Sequence, residues 1–407
     1  MIGAVADDFT GATDLASMFS RGGMRTVLQL GQGAGPCPSA DAVIVALKSR
    51  TAPVAEAVSE SLSAWRWMVE GGASRCYFKY CSTFDSTPQG NIGPVAEALM
   101  RETGAPQTIY TPAFPENGRS IYMGKLFVGE QLLSESGMAK HPLTPMTDAD
   151  LVRLLDEQLA EGRAGLVPWS TVRKGTDAVR AALAALAAEG VSHVVVDALE
   201  QSDLDVLADA VHDWPLVTAG SGLALSIGRR ESGTSDDQSA SLPEIGEPTV
   251  LLSGSCSQAT NAQVARWEAD GGRTIRLDPL ALADGVSTAV PTDALPTLFA
   301  ATQPPEQVAK AQSILGSDRA ASLVERELSR LAVHFKSAGV RRFVVAGGET
   351  SGAVAKALGA TRLTVGPSIA PGVPWCATMD ERPIALALKS GNFGQESFFS
   401  DALAVAP

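Results

Sequence analysis

The amino-acid sequence predicts an α/β fold in two domains, each with a mostly parallel β-sheet flanked by helices. The first observation is an alternation of β-branched runs with Ala- and Leu-rich runs along the whole chain, which is typical of βαβ units. The strand-like runs include DAVIVAL (41–47), HVVVDAL (193–199), PTVLLSG (248–254), RRFVVAGG (341–348) and PIALALKSG (383–391). The helix-like runs include DAVRAALAALAAEG (177–190) and SLVERELSRLAVHFKSAG (322–339).

The second observation is one segment that interrupts this pattern, RRESGTSDDQSASLPEIGEP (229–248). It is rich in Ser, Asp, Gly and Pro and has no apolar period, so it is predicted to be a linker or a long surface loop. We therefore expect an N-terminal domain over residues 1–230, a linker over 231–248 and a C-terminal domain over 249–407. A chain of 407 residues is long enough for two hydrophobic cores.

Composition and charge exclude several classes of protein. The formal net charge of −13 argues against a general nucleic-acid or membrane-surface binder, because such proteins need basic patches. No run approaches the roughly 18 apolar residues of a membrane span, and the first residues lack the basic start of a signal peptide. The five cysteines form no disulfide or zinc framework, so free thiols and a cytoplasmic location are expected.

Three Gly-rich turns follow predicted strands of the C-terminal domain, SGSCSQ (253–258), GGETSG (347–352) and KSGNFG (389–394). Glycine lets the backbone approach a ligand, and free N–H groups at a helix N-terminus attract phosphate. One such turn is usually only a tight connection, but three in one domain favour a nucleotide site. The Walker A, protein-kinase and GxGxxG motifs are all missing from the sequence.

The N-terminal domain has polar clusters at its predicted strand ends. They are Asp7, Asp8 and Thr10; Lys48, Ser49 and Arg50; Lys79, Ser82, Thr83 and Asp85; and Asn117, Gly118 and Arg119. Mixed charges suit a small acid that carries hydroxyls, because Arg binds carboxylates and Asp can orient or deprotonate a hydroxyl.

Simpler interpretations of these clusters stay open at this point. Arg50 and Lys79 would be solvated loop cations, Asp85 a turn cap and Asp14 a charge favoured by the helix dipole. Asp7 and Asp8 are the hardest to explain in this way, because adjacent carboxylates repel unless a cation or a ligand shares their site.

The chain resembles the four-carbon acid sugar kinase family over essentially its whole length. ADDFTGATDLA resembles the N-terminal signature of that family, and GGETSGAV and ALKSGNFG resemble its nucleotide-binding motifs. FKYCSTFDSTPQGNIGPVAEAL and TPAFPENGRSIYMGKLFVGEQLLSES are most similar to its 3-oxo-tetronate kinases.

The resemblance implies ATP-dependent phosphorylation of the C4 hydroxyl of a four-carbon sugar acid. The N-terminal domain would bind the acid, the C-terminal domain would bind ATP with Mg²⁺, and the active site would lie in the cleft between them. The implied ATP contacts are Ser255, Ser257, Gly347, Gly348, Glu349, Thr350, Gly391 and Asn392, with Glu349 where relatives often have Asp. The implied substrate contacts are Asp7, Arg50, Lys79 and Arg119, with Asp8 as general base and Asp85 as the residue that orients the substrate.

The resemblance leaves the roles of Asp8 and Asp85 interchangeable and assigns no metal ligands. D-threonate or D-erythronate could replace the 3-oxo acid, and a homo-oligomer is compatible with the sequence. Two other classes stay open. A nucleotide-independent aldolase or dehydratase predicts no ATP binding, and a two-lobed sugar-acid sensor predicts ligand binding without turnover.

Overall fold

The computed structural model describes residues 1–85, 87–140, 144–234, 239, 241–291 and 296–407. The chain forms two compact units, Met1–Ser239 and Ala240–Pro407, which we call the N-terminal and C-terminal units. The division falls within the segment expected to be a linker, of which residues 235–238 and 240 lie outside the described part. The start of the irregular segment at residue 229 was wrong, because a helix continues to Ser232.

The main sheet of the N-terminal unit is wholly parallel, in the order β2-β3-β1-β4-β11-β5-β10-β9. The strands of this unit are β1 Ile2–Ala6, β2 Thr26–Leu30, β3 Ala42–Ala46, β4 Arg75–Lys79, β5 Thr108–Thr111, β6 Arg119–Tyr122, β7 Lys125–Val128, β8 Gln131–Leu132, β9 Ala164–Val167, β10 His193–Val196 and β11 Leu216–Ala219. Most of the main strands are buried along their whole length, as expected for a parallel sheet that is covered on both faces.

The helices of this unit are α1 Phe9–Arg21, α2 Val54–Glu70, α3 Ile92–Thr103, α4 Leu151–Asp156, α5 Trp169–Val172, α6 Thr176–Ala188, α7 Gln201–Ala210 and α8 Gly222–Ser232. Helices α1 and α8 pack closely, because Gly22 and Gly228 meet without side chains. A Cβ atom added to Gly22 would lie only 2.8 Å from the Cα of Gly228. This contact brings the C-terminal end of α1 against the second half of α8.

Strands β6, β7 and β8 form a separate antiparallel sheet. Asp197, which follows β10, fastens this small sheet to the parallel one. Its carboxylate accepts hydrogen bonds from the N–H groups of Met123, Gly124 and Trp169 at 2.7, 2.9 and 2.9 Å. Asp197 is wholly buried, so these bonds replace its lost hydration and hold the hairpin in place.

The strands of the C-terminal unit are hydrogen-bonded in the order β13-β14-β12-β15-β18-β17-β16. The strands are β12 Thr249–Ser253, β13 Arg273–Arg276, β14 Thr297–Ala300, β15 Arg342–Ala346, β16 Arg362–Ala370, β17 Val373–Thr378 and β18 Ala385–Lys389. The helices are α9 Gln258–Ala269, α10 Pro279–Ala283, α11 Pro305–Leu315, α12 Ser317–Ser337, α13 Gly348–Ala357 and α14 Phe398–Ala404. The five strands from β13 to β18 in this order are parallel, and β17 and β16 continue the sheet in antiparallel fashion.

The core of the C-terminal unit lies where Leu251, Val344 and Ala387 of three neighbouring strands meet Trp375 and Phe398. The prediction of an α/β fold with mostly parallel sheets flanked by helices is therefore confirmed. Within the described ranges, no helix combines the length and the apolar character that crossing a membrane requires.

Candidate active site

Charged side chains gather at the carboxyl ends of three neighbouring strands of the N-terminal unit, β3, β1 and β4. Asp7 and Asp8 directly follow β1, Arg50 follows β3, and Lys79 is the last residue of β4. The final residues of the three strands are register partners, so these side chains start from the same edge of the sheet. Ligands of open α/β sheets bind at this edge.

Arg50 lies among three carboxylates. Its Nε and Nη2 atoms donate to Asp7 Oδ2 and Oδ1 at 2.9 and 2.8 Å, and Nη2 lies 2.8 Å from Asp8 Oδ1. Nη1 lies 3.8 Å from Asp85 Oδ2, and the hydroxyl of Thr83 donates to the other oxygen of Asp85. We call Asp7, Asp8, Arg50 and Asp85 the arginine–carboxylate cluster. Arg50 is therefore the cation that makes the adjacent carboxylates tolerable, and its interpretation as a solvated loop cation was wrong.

Asp7 and Asp8 differ in exposure and in acidity. The side chain of Asp7 is 7% exposed and that of Asp8 is 21% exposed. Burial raises the pKa of Asp7 above its usual value, although Arg50 opposes the shift. Burial also opposes ionisation of Asp8, but Arg50 and Lys79 outweigh it and lower the pKa of Asp8 below its usual value. Asp8 is thus an ionised carboxylate that is accessible from solvent.

Asp8 also caps helix α1. Its Oδ1 accepts from the N–H of Gly11 at 2.8 Å, and its Oδ2 accepts from the hydroxyl of Thr10 at 2.9 Å. Lys79 is buried beside this cap, and its Nζ donates to the carbonyl oxygen of Tyr80 at 2.8 Å. A Cβ atom on Gly11 would lie 2.3 Å from Asp8 Oδ1 and 2.9 Å from Lys79 Nζ, so a side chain at this position would displace both groups. Lys79 is therefore not a solvated loop cation either.

Arg119 reaches the same region from the small antiparallel sheet, where it begins β6. Its Nη1 donates to the carbonyl oxygen of Asn117. Its Nε is buried and has no hydrogen-bond partner among the described residues. Burial lowers the pKa of Arg119, and Cys81, Asp85 and Asp14 are the acidic groups whose charges oppose the shift. Arg119 therefore carries a donor that is available for a ligand.

Asp14 is placed differently from the prediction. Helix α1 begins at Phe9, so Asp14 lies in the second turn and is 2% exposed rather than at the helix end. The hydroxyl of Ser221, the residue before α8, donates to its Oδ2, and its Oδ1 has no partner in the described part of the chain. Sequence reasoning interpreted Asp14 only as a charge favoured by the helix dipole and gave no role to Ser221, although GSG directly follows β11 as a polar, Gly-containing segment.

The three Gly-rich turns of the C-terminal unit converge, because β12, β15 and β18 are neighbours in the sheet. The hydroxyl groups of Ser257 and Thr260, at the start of α9, donate to the carbonyl oxygen of Gly391 at 2.6 and 2.8 Å. The N–H of Gly347, between β15 and α13, donates to the carbonyl oxygen of Lys389 at 2.8 Å. Each turn is therefore bonded directly to another.

Close packing explains the glycines in these turns. A Cβ atom on Gly391 would lie 2.6 Å from Ser255 Oγ, and one on Gly254 would lie 2.0 Å from Thr350 Oγ1. Gly347 has a φ of +121°, which other residues rarely adopt. The side chain of Thr350 is buried against Gly254, so its backbone N–H, rather than its hydroxyl, is suited to contact a ligand. Of the remaining predicted ATP contacts, Gly348 is half-buried, and Glu349 and Asn392 are exposed.

Lys389 was not predicted as a site residue, yet it holds the turns together. It is wholly buried, and its Nζ donates to Thr260 Oγ1 at 3.1 Å and to the carbonyl oxygens of Ser390 and Gly391 at 3.0 Å each. The Nζ also lies 5.5 Å from the ring centroid of Phe398. Burial lowers the pKa of Lys389 to about 7, whereas the three acceptors favour its protonated form.

We expect Lys389→Met to weaken nucleotide binding more than acid binding. The substitution removes the hydrogen bond that Lys389 Nζ donates to the carbonyl oxygen of Ser390 and one of the three donated to that of Gly391. The expected cost is about 1–3 kcal/mol in the free energy of unfolding. The KM for ATP is expected to rise about tenfold or more, with the KM for the acid nearly unchanged. Lys310→Met, at an exposed position on α11, is the matched control. An unchanged KM for ATP would rule out this role of Lys389.

Two family models match the chain, one in its N-terminal part and one in its C-terminal part. A family model for a sugar-binding N-terminal domain matches residues 2–227, and one for a nucleotide-binding C-terminal domain matches residues 250–399. A 3-oxo-tetronate kinase from Burkholderia multivorans is 51% identical over 99% of this chain and 96% of its own length. One from Cupriavidus necator is 50% identical over the same shares.

Two solved structures share the fold of the whole chain. A Salmonella typhimurium LT2 protein has a TM-score of 0.87 and 44% identity, covering 98% of each chain. A Haemophilus influenzae protein has a TM-score of 0.78 and 43% identity, covering 99% of each. The Salmonella structure is described as a tRNA synthase, whereas the curated relatives above, at higher identity, are named kinases.

A sugar-binding domain followed by a nucleotide-binding domain, in a chain whose curated relatives are kinases, defines a phosphotransferase. The chain belongs to the four-carbon acid sugar kinase family, and the resemblance to its 3-oxo-tetronate kinases is confirmed.

Proposed function

We propose that this kinase transfers the γ-phosphoryl group of ATP to the C4 hydroxyl of a 3-oxo-tetronate, producing the 4-phosphate. The observation that carries the proposal is the state of Asp8 at the carboxyl edge of the sheet. It is ionised, accessible and held in one orientation by Gly11, Thr10 and Arg50. The names of the relatives at about half identity support the choice of substrate.

In this proposal Asp8 accepts the proton of the C4 hydroxyl as that oxygen attacks the γ-phosphorus. A base held in a fixed position contributes about 10²- to 10⁴-fold to the rate of such a step. Asp85, which lies near Arg50 in the same cluster, orients the substrate hydroxyl. Arg119 and Lys79 supply positive charge for the substrate carboxylate. Among the described residues, Arg119 Nε has no acceptor and Lys79 Nζ donates to the carbonyl oxygen of Tyr80.

Asp7 and Arg50 were expected to bind substrate directly, but their contacts support a different role. The two side chains are joined by two hydrogen bonds, and Arg50 also contacts Asp8. We therefore propose that they position Asp8 rather than grip the acid. A charge pair that is fixed by the fold needs no reorganisation during the reaction.

ATP is proposed to bind at the three joined turns of the C-terminal unit. Helix α13 begins at Gly348, and its N-cap residue, Gly347, makes no side-chain capping bond. The N–H groups at a helix start point outward along the helix axis, and together with the helix dipole they favour the phosphates of ATP. Gly347 to Thr350 form this helix start, which lies beside Ser255, Ser257 and Gly391. We assign the contacts with ATP to the backbone N–H and hydroxyl groups of these residues and to the exposed Asn392.

Mg²⁺ is expected to accompany ATP, but the described side chains do not fit a resident metal site. No group of three or more His, Cys, Asp or Glu side chains that could hold a metal ion occurs among them. Asp7 and Asp8, the most obvious pair, already share Arg50. We therefore assign no residue to the metal, which would enter on the phosphates of ATP.

The test is an ADP-release assay with ATP and Mg²⁺ against 3-oxo-tetronates, threonates, erythronates and a blank without acid. We expect turnover on a 3-oxo acid to exceed that on the hydroxy acids at least tenfold, and the product to carry phosphate on C4 by NMR. Turnover on hydroxy acids alone would keep the kinase and reject the 3-oxo substrate. ADP release with none of the acids, together with no ATP binding by calorimetry, would reject the proposal.

A further inference from the structure

Asp14 contributes a buried carboxyl oxygen that the proposed reaction does not use. Within the described part of the chain, Asp14 Oδ1 and Arg119 Nε are both buried and both lack a hydrogen-bond partner. An unsatisfied buried polar atom costs free energy, so such atoms need an explanation. Two of them in one charged region of a sugar-binding unit point to a ligand that satisfies them.

The contacts of Asp14 fix which of its oxygens is available. Ser221, which precedes α8, donates its hydroxyl hydrogen to Oδ2. A carboxyl group that accepts at Oδ2 can carry a proton on Oδ1. That proton would then be a hydrogen-bond donor with no acceptor in the described part of the protein. The close contact of α1 and α8 at Gly22 and Gly228 holds this geometry in place.

We propose that Asp14 donates a hydrogen bond from a protonated Oδ1 to the keto oxygen of a 3-oxo acid, and thereby selects 3-oxo acids over the corresponding hydroxy acids. This inference rests on the proposed function, since it concerns the same substrate. A keto oxygen can only accept a hydrogen bond, so an ionised carboxylate repels it. A hydroxyl at the same carbon is compatible with both forms of Asp14, because it can donate or accept.

Asp14 has both positively and negatively charged groups around it. Burial raises the pKa of Asp14 from 3.8 to about 7. Lys79 on β4 and Arg119 on β6 favour the ionised form, whereas Asp8 at the start of α1 favours the protonated one. The hydroxyl of Tyr77 on β4 also faces this group. Because the pKa is raised, Asp14 loses its proton as the pH increases through about 7.

The raised pKa of Asp14 sets the direction in which pH changes the preference between the two acids. The protonated fraction of a group with a pKa of about 7 falls roughly thirtyfold between about pH 5.5 and about pH 8.5. The ratio of kcat/KM for a 3-oxo-tetronate to kcat/KM for the matching hydroxy acid should therefore fall about tenfold or more over this range. The ratio cancels any pH effect that is common to both acids, such as titration of the base or of ATP.

Asp14→Asn separates a specificity role from a structural one. The amide carbonyl can accept from Ser221 while the NH₂ group donates to the keto oxygen at every pH. We expect this variant to keep its preference for the 3-oxo acid and to lose the pH dependence of the ratio. Asp14→Leu, which has no donor, should lose the preference. Asp205→Asn is the matched control, because Asp205 on α7 accepts a hydrogen bond from the hydroxyl of Ser226 on α8 at 2.6 Å.

Calorimetric binding of the 3-oxo acid without ATP makes the test independent of turnover. If no acid is phosphorylated but binding of the keto acid weakens above about pH 7 in the wild type and not in Asp14→Asn, the proposed function fails and this inference stands. A preference ratio that does not change with pH in an active wild type would overturn the inference. The absence of keto-acid binding in a wild type that phosphorylates no acid would also overturn the inference.

Discussion

Replacing Asp8 by asparagine is expected to lower kcat on the sugar acid by about 10²- to 10⁴-fold, because the proton acceptor is lost. The amide keeps the shape of the carboxylate, and its oxygen can still accept from the N–H of Gly11, as Asp8 Oδ1 does at 2.8 Å. The KM for ATP should change little, because the turns assigned to ATP belong to the C-terminal unit. Steady-state kinetics with each substrate varied in turn measures both effects.

The control for this variant is Asp278→Asn. Asp278 caps α10 by accepting from the N–H of Leu280 at 2.9 Å, so it has a similar capping role away from the cluster. Asp85→Asn tests the alternative assignment and should raise the KM for the acid more than it lowers kcat. Turnover of Asp8→Asn within a few-fold of the wild type, with a large loss in kcat for Asp85→Asn, would transfer the base to Asp85.

Arg50→Met is expected to destabilise the protein by about 3–5 kcal/mol, the usual cost of leaving a buried charge without its partner. The side chain of Arg50 is 21% exposed, and it neutralises Asp7 and Asp8 at 2.8 Å each. Without it, the pKa of Asp7, already raised by burial, should rise further. Denaturation with urea measures the free energy of unfolding, and activity should be lost because Asp8 is no longer positioned.

The sign of the pH dependence distinguishes this explanation from simple loss of packing. A carboxyl group whose pKa is raised in the folded state loses its contribution to stability as the pH rises through that pKa. The defect of Arg50→Met should therefore be smaller at about pH 5 than at about pH 8. The double variant Asp7→Asn/Arg50→Met should regain stability but not activity. Arg25→Met is the control, because Arg25 forms an exposed ion pair with Asp41, and its free energy of unfolding should equal that of the wild type. A wild-type free energy of unfolding for Arg50→Met would contradict the argument.

The fold could be predicted from the sequence because its signals are local. The run DAVIVAL becomes β3 and HVVVDAL becomes β10, and each has the β-branched content that a buried parallel strand requires. The start of the irregular segment was predicted too early, at residue 229, because Arg229 to Ser232 lack an apolar period, although α8 continues through them. The position of a helix end depends on the capping residue, here Gly233, which takes a left-handed conformation.

The site could be predicted only in part. The carboxyl ends of neighbouring parallel strands are a known location for ligands, so Asp7, Asp8 and Arg50 were expected together. The pairing of Arg50 with Asp7, 43 residues away, depends on strand order, which periodicity does not reveal. Asp14 and Ser221 are 207 residues apart and meet only because α1 and α8 pack together.

The position of Arg119 on the small antiparallel sheet has a consequence for how such enzymes can diverge. The parallel strands carry Asp8 and its partners, whereas Arg119 belongs to a hairpin whose turn donates two backbone hydrogen bonds to Asp197. Backbone bonds tolerate replacement of the side chains around them. In the proposed function Arg119 binds the acid, so side-chain replacements in the hairpin would change acid recognition without removing the backbone bonds that hold the hairpin.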